Sequence, residues 1–243
     1  MSVVNVVLGK SKAPAKFYHK GKRISVDTAF GMYQKKSRFV VGGKTLNVNR
    51  FGATKMNKAT EEIIKMKPQF TKAAKDGLHE EVTRLADLGM PVDIKDKRGY
   101  TPLYLAVENG HLKTVRVLVD RGANLDFVDK IYRSTPVHIA AYNGNDRIVR
   151  LLADKGADLN LRNINGLTPL NGAVQRGSLE TVRLLANKGA NLDLAENYGH
   201  TPAFMAVQQN RHEMVRLLAD MGADLNLANI NGLTPVYMAA VRG

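Results

Sequence analysis

A chain of 243 residues that is 44% hydrophobic holds enough apolar material for a sizeable core, in one elongated domain or two ordinary ones. It contains no cysteine, which excludes a disulfide framework, a thiolate metal site and a cysteine nucleophile. The net charge of +14 is uneven: residues 1–60 hold thirteen Lys/Arg against one acid, Asp27, a balance of +12, while the other 183 residues hold 23 against 21, a balance of +2. An electrostatic partner, whether nucleic acid, anionic membrane or acidic protein, is therefore expected at the N-terminal part.

Along the chain, the opening Met1 to Leu8 has no positive region in front of its apolar residues and is broken by Asn5, so secretion is not expected. No run approaches the roughly 18 apolar residues of a spanning helix. Residues 1–26 contain no acid, which leaves an organelle transit segment open, against a preference for Lys over Arg and little helical amphipathicity. An intracellular protein, in the cytoplasm or an organelle, is favoured.

Residues 1–60 read as a basic, partly β extension. Glycines at 21, 31, 42, 43 and 52 separate short apolar runs, and helical periodicity is absent. Arg23-Ile24-Ser25-Val26 is strand-like, and residues 37–48 place two β-prone arms around Gly42-Gly43, a hairpin signal. An isolated hairpin is marginal in water, so the extension is expected to order against the rest of the chain or a partner. Its candidate polyanion-binding or anchoring residues are Lys16, Phe17, Tyr18, Lys20, Lys22, Arg23, Lys35, Lys36, Arg38, Phe39, Lys44 and Arg50. Cations that neutralise phosphate, interleaved with aromatic faces that stack on bases, suit RNA or single strands. The same mixture suits insertion between subunits of a large assembly, with aromatic anchors in pockets and Lys/Arg against acidic surfaces. Anionic lipid is the less favoured partner. Gly43-Lys44-Thr45 ends like a phosphate-binding loop, but position 38 is Arg where that motif needs Gly, so a hairpin turn explains it better.

Beyond residue 60 one unit is copied. Thr-Pro recurs at 101, 135, 168, 201 and 234, spaced by 34, 33, 33 and 33 residues. Nine residues after each Thr stand Gly110, Gly144, Gly177, Asn210 and Gly243, and twelve further on stand Gly122, Gly156, Gly189 and Gly222. A Thr hydroxyl caps free backbone N–H groups, and Pro at the first helical position loses no hydrogen bond, so each Thr-Pro starts a short helix. A second helix such as Leu179 to Ala186 follows with apolar residues at helical spacing, and a Gly in the left-handed conformation ends it. The turn-rich stretch from Ala190 to Gly199 reads as a hairpin-like finger leading to the next Thr-Pro.

These motifs closely resemble the ankyrin family. Thr135-Pro136-Val137-His138-Ile139-Ala140-Ala141 is nearly its signature, and Gly99-Tyr100-Thr101-Pro102-Leu103 and Gly166-Leu167-Thr168-Pro169-Leu170 repeat the entry. The resemblance implies an all-α solenoid of helix pairs and fingers over residues 61–243: a degenerate, cap-like first unit at about 66–97, full units over about 98–230, and half a unit at 231–243. It also implies protein binding through finger tips and the concave face. The contact candidates on that mapping are Lys97, Arg98, Lys130, Ile131, Tyr132, Arg133, Ile164, Asn165, Tyr198, Ile230 and Asn231.

Four departures from the pattern stand out. The finger between Gly122 and Thr135 has one extra residue, and Arg133 or a neighbour stands where other units have Gly, so Lys130 to Arg133 should bulge. The signature His is kept only at His138; Tyr104, Asn171, Phe204 and Tyr237 replace it, either as a recognition stripe or, the favoured reading, as core. Residues 156–169 and 222–235 agree at thirteen of fourteen positions, differing at Arg162 and Ala228, a sign of copied repeats that favours scaffolding over chemistry. Finally, the last unit stops after its first helix, so the apolar surface around Val236, Ala239 and Ala240 is expected to lack cover within the chain.

No catalytic constellation emerges. His79-Glu80 and His212-Glu213 lack a second His at i+4, and the adjacent pair Glu80/Glu81 does not point into one site. The sequence calls for no cofactor, metal or small-molecule substrate. Its expected role is a non-enzymatic protein-binding scaffold or adaptor, a structural subunit of a larger assembly anchored by its basic extension. The alternative is an RNA- or ribonucleoprotein-associated protein whose arm binds phosphate.

Overall fold

The computed structural model describes residues 65–242 and five strands, β1 (Val3–Val7), β2 (Lys16–His19), β3 (Lys22–Ile24), β4 (Arg38–Val41) and β5 (Lys44–Leu46). The strands form one sheet in the order β3-β2-β1-β4-β5, parallel between β1 and β4 and antiparallel elsewhere. Val41 lies opposite Lys44, so the arms expected around Gly42-Gly43 are paired with two residues between them. The strand expected near Arg23 is β3; Ser25 and Val26 lie outside the described residues.

The body is a stack of helix pairs. Helix α1 (65–75) pairs with α2 (His79–Asp87), α3 (Pro102–Glu108) with α4 (Leu112–Asp120), α5 (Pro136–Asn143) with α6 (Asp146–Asp154), α7 (Pro169–Arg176) with α8 (Leu179–Asn187), and α9 (Pro202–Gln208) with α10 (His212–Asp220). The last described element is α11 (Pro235–Arg242). First helices α3, α5, α7, α9 and α11 pack in succession, and second helices α2, α4, α6, α8 and α10 do the same. One core runs the length of the stack, from Phe70 and Leu85 through Leu103, Leu118, Leu152, Leu170 and Leu185 to Leu218. No helix this short is stable alone in water; each exists because its apolar stripe, Ile148, Val149, Leu151 and Leu152 in α6 for example, is buried against its neighbours.

The helix starts follow from the Thr-Pro pairs. Thr101 and Thr201 Oγ1 accept from the N–H of Tyr104 and Phe204, each at 3.2 Å. At Thr168 the lock is reciprocal: its Oγ1 accepts from the Asn171 N–H at 3.3 Å, and its own N–H donates to Asn171 Oδ1 at 2.8 Å. At Thr135 the partner is His138 Nδ1, which accepts the Thr135 N–H at 3.2 Å. Since Nδ1 is an acceptor, the imidazole proton sits on Nε2, which donates to the Leu167 carbonyl of the next unit at 3.0 Å.

The positions equivalent to the signature His therefore belong to the interior. Tyr104, His138, Asn171 and Phe204 are buried, and only Tyr237 of this set is exposed. The recognition-stripe alternative fails at four of the five positions because each of these side chains either locks a helix start or fills space beneath a finger. Tyr104 stacks on Tyr100 with ring centres 4.7 Å apart, and Phe204 on His200 at 4.5 Å.

Candidate binding surface

Each unit sends out a finger between its second helix and the next Thr-Pro, and the same polar position organises every one. Asp96 Oδ1 accepts the N–H groups of Arg98 and Tyr100, both at 2.9 Å. Asn163 does this for Asn165 and Leu167, Glu196 for Tyr198 and His200, and Asn229 for Asn231 and Leu233. Asp129, almost fully buried, accepts three: Ile131 and Tyr132 at 2.8 Å and Ser134 at 2.7 Å. A carboxylate or amide oxygen is the right group here because a tight turn leaves several N–H donors converging with no backbone acceptor.

The fingers are also tied to one another. Ile164 N–H donates to the Tyr132 carbonyl at 2.8 Å, Asn197 N–H to Asn165 at 3.1 Å, and Ile230 N–H to Tyr198 at 3.2 Å. Arg162 adds a side-chain link, its Nη2 donating to the Ala195 carbonyl at 2.7 Å. At the base of the fingers a second ladder runs from unit to unit, with Asp93, Asp126, Asn160 and Asp193 accepting the N–H of Asn124, Asp158, Asn191 and Asp224 at 2.8–3.0 Å. The tips therefore form one ordered edge.

Along that edge large apolar side chains face solvent. Ile131 is 60% exposed, Tyr132 59%, Ile164 54%, Tyr198 64% and Ile230 68%. Lys97, Arg98, Lys130, Arg133, Asn165 and Asn231 are exposed beside them, so all eleven contact candidates lie on this edge. In the finger with the extra residue, Arg133 takes the left-handed conformation, φ 55°, that Gly99, Gly166, Gly199 and Gly232 occupy elsewhere. The carboxylate staple of that finger then serves three N–H groups where the other fingers serve two.

The charges on the edge are segregated. The first two fingers carry Lys95, Lys97, Arg98, Lys130 and Arg133, all exposed, with Lys95 over the Phe127 ring at 4.7 Å and Arg98 over Tyr100 at 4.8 Å. The carboxylates of Asp96 and Asp129 point inward onto backbone N–H groups. The three later tips are Asn163-Ile164-Asn165, Glu196-Asn197-Tyr198 and Asn229-Ile230-Asn231, and Glu196 bonds His200 Nδ1 at 3.0 Å. Between the fingers and the first helices lies a cavity of about 320 Å³ lined by Asn165, Gln175, Asn197, Tyr198, His200 and Met205. Burial lowers the basicity of His138, opposed by its bond to the Leu167 carbonyl, and burial followed by the negative Asp129 pushes the Tyr104 phenol well up. Among the described residues no group of His, Asp or Glu is placed to hold a metal ion.

Of the candidates in the extension, Lys16, Phe17, Tyr18, Lys22, Arg23, Arg38, Phe39 and Lys44 lie on the five strands, with Tyr18 opposite Arg23 and Phe39 opposite Leu46. Lys20, Lys35, Lys36 and Arg50 lie outside the described residues. Sequence reasoning missed the finger staple as an element. The signal was there, an acceptor at 96, 129, 163, 196 and 229 on the Thr-Pro period, but it varies among Asp, Asn and Glu and so escapes a search for a fixed letter.

Comparison with known proteins agrees with this architecture. The family model for ankyrin repeats matches residues 52–129, 70–163, 137–229 and 188–243. A stretch of 63 residues is 35% identical to an ankyrin repeat-containing protein of Schizosaccharomyces pombe, covering 26% of this chain and 30% of that one. A stretch of 51 residues is 39% identical to acyl-CoA-binding domain-containing protein 2 of Arabidopsis thaliana, covering 21% and 14%. A stretch of 65 residues is 42% identical to the human ankyrin repeat, SAM and basic leucine zipper domain-containing protein 1, covering 27% and 14%. The chain thus spans less than a third of the length of each of these relatives. The crystal structure of an ankyrin repeat domain from Acinetobacter baumannii is similar over 72% of this chain and 91% of that one, with a TM-score of 0.68 and 30% identity. The periodic helix starts, the shared core, the tethered fingers and these matches establish that the chain belongs to the ankyrin-repeat family.

Proposed function

We propose that the protein is a non-enzymatic scaffold that holds a protein partner along its finger-tip edge, within a larger assembly to which the basic extension of residues 1–60 anchors it. The observation that carries this reading is the row Ile131, Tyr132, Ile164, Tyr198 and Ile230, five large apolar side chains each more than half exposed on an edge whose backbone is fixed by hydrogen bonds. Isolated exposed apolar residues are ordinary, but an aligned row on a rigid element is a surface that gains by being covered. The repeats supply the scaffold and the tips supply the contact, a division of labour that lets one fold serve many partners. The proposed ankyrin body is residues 61–243.

The test is to isolate the full chain from its native source with its associated proteins, beside the variant Ile164→Ser/Tyr198→Ser/Ile230→Ser. The reading expects a partner lost from the variant while the melting temperature of the variant stays within a few degrees of the parent. Retention of every partner by the variant removes the edge from consideration.

A second reading rests on the extension, where β2, β3, β4 and β5 interleave Phe17, Tyr18 and Phe39 with Lys16, Lys22, Arg23, Arg38 and Lys44. Titration of the full chain with a structured RNA across a salt series discriminates the two. Phosphate contacts give an affinity that falls steeply with salt, and Gln in place of those five cations flattens the slope. Absence of binding near physiological salt leaves the extension as a protein anchor.

A further inference from the structure

The segregation of charge along the edge defines the chemistry of what lies on it. Five exposed cations, Lys95, Lys97, Arg98, Lys130 and Arg133, occupy the first two fingers; Asp96 and Asp129 there turn onto backbone N–H groups, Asp96 also pairing with Arg98 at 3.5 Å, and Asp93 and Asp126 stand at the finger bases. The three later tips present Ile164, Tyr198 and Ile230 separated by the exposed amides Asn165, Asn197 and Asn231. From one end to the other the edge changes from basic to apolar and amide.

The spacing is also set. Successive first helices pack against each other, and packed helices lie about 8–10 Å apart, so neighbouring tips repeat at about that interval. A chain in the extended polyproline II conformation advances about 3.1 Å per residue and turns once every three residues, so three of its residues match one finger, its side chains at i, i+3 and i+6 fall on one face, and five fingers match roughly twelve residues. Such a segment also leaves its backbone N–H and C=O groups without internal partners. Side-chain amides, each both donor and acceptor, are suited to satisfy them, whereas the backbone of a helix needs no such partners.

Resting on the reading of the edge as a protein-binding surface, we infer that its occupant is an extended segment of another protein of about twelve residues in the polyproline II conformation, acidic at one end and carrying apolar side chains at i, i+3 and i+6 toward the other. The acidic end lies over the first two fingers and the apolar residues meet Ile164, Tyr198 and Ile230. The chain's own N-terminal extension, with a balance of +12, is repelled from the basic fingers and is not the occupant. Nucleic acid would neutralise the cations but gains little from isoleucines, which offer bases no stacking face.

A library of random twelve-residue peptides displayed on phage, selected against the immobilised full chain, tests this. Enriched peptides are expected to share an Asp/Glu block at one end and Leu, Ile, Val or Phe at three-residue intervals toward the other. A labelled synthetic copy of the strongest should lose roughly tenfold in affinity to Ile164→Ser/Ile230→Ser and roughly tenfold to Lys97→Glu/Lys130→Glu, with the second loss reversed for a peptide whose acids are replaced by Lys. Peptides that enrich and depend on Ile164 and Ile230 but show no acidic block overturn this inference and leave the protein-binding edge standing. Failure of any peptide to enrich, or preferential sensitivity of a twelve-nucleotide single strand to Lys97→Glu/Lys130→Glu, also overturns it. Peptides indifferent to both variants overturn the inference and the edge together.

Discussion

Thr114 lies in α4 with its hydroxyl wholly buried and without a hydrogen-bond partner, while the equivalent positions in α6 and α10 hold the buried apolar residues Ile148 and Met214. In α8 the equivalent Thr181 donates to the Asp146 carboxylate of the preceding unit, so the orphan is specific to the α4 copy. Thr114→Val keeps the shape and removes the orphan, and should raise stability by about 1 kcal/mol in urea denaturation. His138 is the counterpart case, a buried polar group whose two nitrogens are both used. Burial holds its basicity below the usual value, so the unfolded chain takes up the proton first. The stability it contributes is full above about pH 6.5 and is lost as pH falls from there through the lowered folded value. His138→Asn, which imitates the lock seen at Asn171, should cost about 1 kcal/mol at neutral pH and flatten the loss below about pH 6.5. Arg133 is the residue held in a conformation that suits glycine, and Arg133→Gly should gain about 1 kcal/mol, read as a rise in melting temperature.

The finger is the element where local chemistry and global order meet. Asp129→Ala leaves three convergent N–H groups without their acceptor in a nearly closed site, and should cost about 3 kcal/mol in urea denaturation. The helices were legible in the sequence because their starts, stops and apolar spacing recur at a fixed period, and Thr-Pro has a direct steric and hydrogen-bonding meaning. The arms of the β4–β5 pair were legible for the same kind of reason, two β-prone runs with a two-residue gap. What was not legible is which acceptor folds each finger, since Asp96, Asp129, Asn163, Glu196 and Asn229 share an oxygen and not a side chain. The choice at Tyr104, His138, Asn171 and Phe204 between core and surface also needed three dimensions, because one position carries a phenol, an imidazole, an amide or a bare ring and only the finger above it decides its burial.

For the molecule as a whole, stability is the sum of units and of the interfaces between them. A cavity in a central unit weakens two interfaces where a cavity near an end weakens one. Leu185→Ala should therefore cost about 4 kcal/mol and accelerate amide exchange in α7 and α9 as well as α8, while Leu85→Ala should leave exchange in α9 and α10 unchanged. Val236, Ala239 and Ala240 of α11 are exposed, with Tyr237 and Val241 beside them. The copied stretches 156–169 and 222–235 carry a further consequence. They place the same Asn-Ile-Asn tip on alternate fingers, with Tyr198 between, so a ligand that read one such tip alone would find two equivalent berths and bind with a stoichiometry of two. A ligand long enough to reach the enlarged finger of Lys130 to Arg133 finds a landmark that occurs once, and can be held in one phase only.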